Sequence, residues 1–347
     1  MKRILVVRND KIGDFMLAWP SFAMLKRSMD CHVTALVPAY TAPLARLCPW
    51  IDEIILDPGS GADKEQQRAL QARIKAAAFD ASICLFSNSR NAMLVWKAHI
   101  PYRLAPATKL AQVLYNQRLI QRRSRSQKPE YEYNLDLVRR FLADQQVSVV
   151  EPQGPYLSFD PQSLQLVREQ VATRLKLDAS RPWLMVHAGS GGSANNLSIE
   201  QYSRLIIKLN QACPELQCIL TAGPGEEKIA EQLAAELLAH GGNGWIYRSD
   251  EGLPKFCQVM ANAALFVAGS TGPLHIAAAL DVPTIGFFPA HRSATPLRWR
   301  PLNSEGRHLA FSPPEDSDHP EDMSQLDPKA MAAAIARWAP PFWRTES

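Results

Sequence analysis

The chain alternates short, uninterrupted apolar runs with longer segments whose apolar residues recur every three or four positions. Residues 4–7 (Ile-Leu-Val-Val) form the first run, and an amphipathic segment follows over roughly 15–29. Further runs fall at 32–37, 54–56 and 82–86. A turn-rich stretch, Val150-Glu-Pro-Gln-Gly-Pro-Tyr156, then reads as a connector. The pattern restarts with runs at 183–187, 218–221, 245–247, 265–268 and 284–288, separated by helical segments at 199–211, 226–240, 254–261 and 273–280. A last helix is predicted at 328–338, after an acidic, proline-rich loop over 312–327. Strands that are apolar on both faces and alternate with helices imply parallel sheets covered on both sides. The predicted fold class is therefore α/β, with two doubly wound, Rossmann-like halves. Ligands are expected at the carboxyl ends of their strands.

At roughly 150 residues per domain, 347 residues suit two domains, each with its own core. The expected boundaries are 1–155, 156–325, and a C-terminal helical segment 326–347 free to pack back on the N-terminal domain. A composition 46% hydrophobic and 21% charged excludes disordered, collagen-like and disulfide-scaffold classes. The six cysteines (31, 48, 84, 213, 218 and 257) contain no Cys-x-x-Cys pair, which predicts reduced thiols and a cytosolic setting. The N-terminal apolar run is too short for a signal peptide. Residues 256–280 lack charge for 25 positions, yet Gln258, Asn262, Gly269, Ser270, Thr271, Gly272 and Pro273 interrupt them. A strand-loop-helix unit fits that stretch better than a membrane span.

Four loops carry candidate chemistry. Arg8-Asn9-Asp10-Lys11-Ile12-Gly13-Asp14 follows the first run and has neither a dinucleotide nor a P-loop glycine fingerprint. Its single glycine permits close ligand approach, and its carboxylates suit a helix N-terminus, either as caps or as a site. The second loop is His187-Ala-Gly-Ser190-Gly191-Gly-Ser-Ala-Asn195-Asn196-Leu-Ser198, a Gly/Ser turn able to present amides to phosphate. Ser198 and Gln201 form a predicted capping box behind it. The third is Thr221-Ala-Gly-Pro-Gly-Glu226-Glu227. The fourth, Gly269-Ser270-Thr271-Gly272-Pro273-Leu274-His275, places proline at a first helical position, with free amides where a pyrophosphate would sit.

Arg-x-Asp-x-Ile-Gly-Asp, with Pro20 beyond it, resembles the opening of glycosyltransferase family 9, the ADP-heptose:lipopolysaccharide heptosyltransferases. The other three loops resemble the family's His-x-Gly-Ser…Lys-x-Trp-Pro, Gly-x-Pro-x-Glu and Asn-Asp-Ser/Thr-Gly-Pro-x-His segments, in the same order. The resemblance covers most of the chain and implies a GT-B architecture, two Rossmann-like domains facing a central cleft. By the same match Asp14 would be the base that deprotonates an acceptor hydroxyl. Ser190, Gly191, Asn195, Glu226, Ser270, Thr271, Gly272, Pro273 and His275 would bind the nucleotide-sugar donor, with Glu226 on its ribose. Asp10, Lys11 and Gly13 would line the acceptor side. Three positions depart from the family pattern: Asn195 replaces a lysine, Leu197 a tryptophan, and Gly269-Ser270 replaces Asn-Asp. The implied reaction is inverting transfer of heptose from ADP-heptose to Kdo-lipid A or a core heptose, with no metal or other cofactor. Alternatives are a different nucleotide sugar or acceptor on the same fold, or a sugar-nucleotide-binding protein without turnover.

Charge sharpens the acceptor side. The net charge is only +4, but no acidic residue occurs between Asp80 and Glu130, a window holding nine cations. These are Arg90, Lys97, Arg103, Lys109, Arg118, Arg122, Arg123, Arg125 and Lys128. A one-sided field of this kind predicts an anionic partner. No nucleic-acid motif accompanies it. Arg90, Arg118, Arg122 and Arg123 are the candidate acceptor contacts, with Ser87 and Trp96 nearby. The resemblance implies a phosphorylated lipopolysaccharide core and peripheral attachment at the cytoplasmic face of the inner membrane.

Overall fold

The computed structural model describes residues 1–108, 110–190, 195–314 and 316–343. Gly191 and Lys109 lie outside the described residues. The chain divides into two compact units, Met1–Gln153 and Gly154–Ser347.

In chain order the first unit holds β1 (Lys2–Val7), α1 (Ile12–Met16), α2 (Trp19–Ser28), β2 (Cys31–Pro38), α3 (Ala42–Ala45) and β3 (Glu53–Asp57). It continues with α4 (Lys64–Ala76), β4 (Ala81–Cys84), α5 (Ser89–Lys97), β5 (Tyr102–Pro106), β6 (Gln117–Leu119) and α6 (Glu130–Asp144). Its six strands are all parallel, in the order β3-β2-β1-β4-β5-β6. The order reverses direction between β1 and β4. Loops leaving those two neighbours turn to opposite sides and leave a crevice at their carboxyl ends. β1 can be central because Ile4, Leu5, Val6 and Val7 are wholly buried. The single helix expected over 15–29 is instead two, α1 and α2. Pro20 occupies the first turn of α2, and its ring would clash with the Met16 carbonyl in a continuous helix.

The second unit holds α7 (Pro161–Leu175), β7 (Trp183–His187), α8 (Ile199–Ala212), β8 (Gln217–Ala222), α9 (Glu227–Ala239) and β9 (Trp245–Arg248). α10 (Leu253–Met260), β10 (Leu265–Gly269), α11 (Gly272–Ala279), β11 (Thr284–Phe287), β12 (His308–Phe311) and α12 (Pro328–Trp338) complete it. Its parallel sheet runs β12-β11-β10-β7-β8-β9, which is the first unit's topology read from the other edge. The reversal falls between β7 and β10. Ser198 and Gln201 close the predicted capping box at the start of α8. Tyr202 of α8 meets Phe287 of β11 edge to face at 5.7 Å, inside a core shared with Leu184, Leu205 and Ile335. Each such side chain contributes about 1.5–3 kcal/mol by leaving water.

Helix α12, expected to be free to pack on the N-terminal domain, lies in the second unit. Its buried Met331, Ala332 and Ile335 join the core beside α8. Among the described residues no helix is long and apolar enough to cross a membrane. All six cysteines are free and buried.

Candidate functional site

In the first unit the loop after β1 is organised by Arg8, the residue that opens its motif but received no role from the sequence. Arg8 is only 2% exposed, yet it carries a charge. Its guanidinium serves three carboxylates: Nε lies 2.9 Å from Asp10 Oδ1, Nη2 donates to Asp14 Oδ1 at 2.6 Å, and Nη1 to Glu130 Oε1 at 3.4 Å. Nη1 also points to the Leu85 carbonyl and to Asn134 Oδ1. Glu130, the first residue of α6, in turn accepts from Arg123 Nη1 at 2.6 Å. Burial opposes the Arg8 charge, but Asp10, Asp14 and Glu130 outweigh it, so the guanidinium is held more firmly protonated than in water. Asp10 goes the other way. Burial, with the charges of Asp14 and Glu130, pushes its carboxyl up to about 7 against the pull of Arg8. Asp14 sits in the first turn of α1, where the helix dipole favours a carboxylate. Lys11 is the exposed N-cap of α1, and Gly13 is half-buried within it.

Two of the sequence-predicted acceptor residues, Arg90 and Arg123, are engaged in ion pairs within the first unit. Arg90 forms a two-pronged pair with Asp57 at 2.6 and 2.8 Å, and this partner keeps the buried Asp57 carboxyl below its usual range despite desolvation. Arg123 turns inward to Glu130. Lys128 pairs with Asp136. The basic window is therefore less one-sided than its sequence, because partners reach it from outside. Arg118 and Arg122 stay exposed, and among the described residues neither forms an ion pair. Ser87 bonds the Tyr115 hydroxyl at 3.2 Å, while Trp96 is exposed on α5.

In the second unit the loops after β7, β8 and β10 lie at the carboxyl edge of one sheet. His187, at the end of β7, is buried between Thr221 and Glu226. Its Nδ1 is 3.0 Å from Thr221 Oγ1 and its Nε2 is 3.1 Å from Glu226 Oε2. With the proton on Nε2, the threonine hydroxyl donates to Nδ1 and Nε2–H donates to the carboxylate, so one tautomer satisfies both contacts. The Gly223 amide donates to the same oxygen at 3.2 Å. Gly189 lies against that carboxylate, and a Cβ there would overlap it. Glu226 is thus fixed at the loop edge by groups from two strands.

Asn196 has an equivalent role in the loop after β7. Its Nδ2 donates to the Ala188 carbonyl, and its Oδ1 accepts from the Leu197 amide and the Tyr202 hydroxyl. A Cβ on Gly269 would come 2.9 Å from Asn196 Oδ1, so a glycine ends β10 here. Asn195 is exposed and donates to the Glu321 carbonyl at 3.2 Å. Leu197 is buried in the core. Ser190 is half-buried where the described portion of its loop ends.

Helix α11 begins at Gly272 with Pro273 in its first turn and Thr271 as N-cap. Among the described residues Thr271 Oγ1 and His275 Nδ1 are buried without a hydrogen-bond partner. Burial lowers the His275 ring to about 4, keeping it neutral at physiological pH. Ser270 is half-buried, its amide bonded to the Phe287 carbonyl at 3.1 Å. The free first-turn amides, the Thr271 hydroxyl and the neutral His275 ring together can donate hydrogen bonds to an anion's oxygens without a cation. Sequence reasoning placed Arg8, His187 and Asn196 inside its motifs without giving them a role, and it passed over Glu130. Only the burial of charged and polar types next to apolar runs would have signalled them.

The sequence model of glycosyltransferase family 9 (heptosyltransferase) matches residues 67–323. A Haemophilus influenzae protein described provisionally as a glycosyltransferase is 48% identical over 350 residues, covering 100% of this chain and 99% of its own. Among solved structures, Escherichia coli ADP-heptose lps heptosyltransferase II superimposes with a TM-score of 0.75 at 18% identity, covering 98% of each chain. The E. coli heptosyltransferase WaaC with ADP gives 0.73 at 19% identity, covering 97% of this chain and all of its own. At those identities the structures establish the shared GT-B fold.

Proposed function

Because this chain belongs to glycosyltransferase family 9 and is a glycosyltransferase, we propose that it transfers heptose with inversion from ADP-heptose to the inner core of lipopolysaccharide. The acceptor is Kdo-lipid A or a core heptose bound by the first unit, and the donor is bound by the second. The observation that carries the reading is the Asp14 carboxylate, held by Arg8 at the carboxyl edge of the first sheet. Asp14 takes the acceptor hydroxyl proton as that oxygen bonds to the sugar's anomeric carbon. The bond from that carbon to the diphosphate breaks on the opposite face, and the electron pair leaves with ADP. Charge developing on the diphosphate meets the first-turn amides of α11 and the Thr271 hydroxyl, with His275 as a neutral partner. Glu226 accepts from the ribose hydroxyls. The proposal needs no metal and no cofactor beyond the donor. Two solved neighbours described as ADP-heptose and ADP-bound heptosyltransferases support it. The enzyme would work at the cytoplasmic face of the inner membrane, where a lipid-linked acceptor is presented.

Asp14→Ala tests the assignment. Transfer should vanish while calorimetry still shows ADP binding, and unimpaired turnover would remove Asp14 from the mechanism. A second reading keeps the fold and changes the donor, favoured by the neutral Asn195 and Ser270 at the diphosphate loops. A panel of nucleotide sugars separates the two, since preferred turnover of a sugar other than ADP-heptose supports the second.

A further inference from the structure

The most exposed apolar side chains of the first unit, the terminal Met1 apart, cluster along one edge of its sheet. Leu110 is 90% exposed, Ile120 75% and Val113 72%. Leu110 and Val113 belong to the 3-10 turn, residues 110–114, that crosses from β5 to the edge strand β6 and rests on α5. The same turn sends Leu114 inward to the core and Arg103 Nε donates to the Leu114 carbonyl at 3.0 Å, so its outward residues sit on a fixed base. Ile120 follows β6 directly. Pro106 pairs with Leu119 in the ladder, and the Ala107 amide donates to the Leu119 carbonyl at 2.8 Å. The chain leaving β5 toward Leu110 therefore starts alongside Ile120.

Cations share this edge. Arg118, Arg122 and Arg125 are exposed, and none forms an ion pair among the described residues. No acidic residue occurs anywhere from 81 to 129. Three bare aliphatic side chains among three free arginines is a poor surface for water and a good one for an anionic bilayer. Aliphatic groups enter the acyl boundary while the guanidiniums meet lipid phosphates. The same segment is tied to the reaction centre. Arg123, between Arg122 and Arg125, bonds Glu130, which bonds Arg8, which bonds Asp14.

Resting on the reading of a lipid-linked acceptor, we propose that this edge, built from Leu110, Val113, Ile120, Arg118, Arg122 and Arg125, docks the enzyme on an anionic lipid bilayer. Two kinds of force act together. Charge brings the edge to the surface and is screened by salt, while apolar insertion holds it there. Neither a lone basic face nor a lone apolar patch predicts dependence on both.

Vesicle co-sedimentation of the full chain tests this without requiring turnover. Binding to phosphatidylglycerol-containing vesicles is expected at low salt, at least tenfold above binding to pure phosphatidylcholine and weakened by 0.5 M salt. Leu110→Asp with Val113→Asp should lower the bound fraction at least tenfold with the circular dichroism spectrum unchanged. That variant should keep wild-type turnover on a delipidated, water-soluble acceptor. Arg118→Glu with Arg122→Glu should lower vesicle binding to a similar extent. Wild-type protein that ignores anionic vesicles, or either variant binding like wild type, would overturn the proposal. So would a wild-type dimer that the aspartate variant makes monomeric while vesicle binding is unchanged, because the edge would then be a protein interface. Absence of turnover on the soluble acceptor in wild type, with vesicle binding intact, would instead strike the proposed donor and acceptor.

Discussion

Arg8 Nη2 donates to Asp14 Oδ1 at 2.6 Å, and that single contact ties the proposed base to a guanidinium that also holds Asp10 and Glu130. Three carboxylates around one buried cation is an arrangement in which removing the cation costs more than removing any one partner. Arg8→Met should therefore destabilise the protein by about 3–5 kcal/mol, the usual cost of stranding buried charge. Denaturant unfolding should show a lower midpoint with an unchanged slope. Arg8→Lys retains the charge but loses the fork, so it should lie between wild type and Arg8→Met. Equal stability of all three would mean that the carboxylates do not depend on Arg8.

Asp10 gives the same cluster a pH signature. Its folded carboxyl titrates at about 7, whereas its ordinary value is 3.8. Between those values the native state binds more protons than the unfolded state, so this group's contribution to stability falls as pH rises. It is fully present below about 4 and lost by passage through 7. Asp10→Asn keeps an oxygen that can accept from Arg8 and removes the titration. The variant should match wild type near pH 4 and gain on it by up to roughly 1.4 kcal/mol per pH unit toward 7, then hold a constant lead. Parallel stability curves over that range would show that Asp10 does not titrate there.

What could be read from the chain alone followed from the physics of each element. Runs such as 4–7 and 183–187 stand out because central parallel strands are apolar on both faces. β12 is half-buried throughout, β6 has three residues, and β5 contains Arg103 and Pro106, so none shows that signature. The chemistry-bearing loops were visible because they follow strands in order. Their internal partnerships were not. Arg8 meets Glu130 and Asn134 across separations of 122 and 126 residues, which no local pattern encodes. For the same reason the basic window looked uncompensated, although Asp57, Glu130 and Asp136 reach into it from outside.

The His187–Glu226 contact predicts a division between binding and turnover. His187 positions the carboxylate proposed to accept from the ribose, and its own ring is held on the opposite side by Thr221. His187→Ala should raise the donor KM about tenfold, roughly the 1.4 kcal/mol of one hydrogen bond to a charged group, with kcat changed less than threefold. His187→Gln offers an N–H near the Nε2 position and should recover some of the loss. Gly189→Ala should mimic His187→Ala, because its methyl group would displace the Glu226 carboxylate. An unchanged KM in all three variants would detach Glu226 from the donor. A collapse of kcat alone would point to a role in the chemical step.

Asn195 offers a test by gain of function. It is exposed, and its amide is engaged only with the Glu321 carbonyl among the described contacts, at 3.2 Å. The proposed diphosphate site otherwise relies on neutral groups, the first-turn amides of α11, Thr271 and His275. A lysine at 195 would add a mobile ammonium at the loop edge and would sacrifice one exposed hydrogen bond, worth well under 1 kcal/mol net. An exposed charge-assisted contact contributes about 1 kcal/mol at low salt. Asn195→Lys should therefore tighten ADP binding by about three- to tenfold in calorimetry at low ionic strength. The gain should shrink as salt is raised to 0.5 M, because screening falls on the added charge and not on the amides. AMP, with one phosphate fewer, should gain less than ADP. If the variant binds ADP no better than wild type at any salt, the loop carrying Asn195 does not face the diphosphate, and the donor's charge is met elsewhere in the second unit.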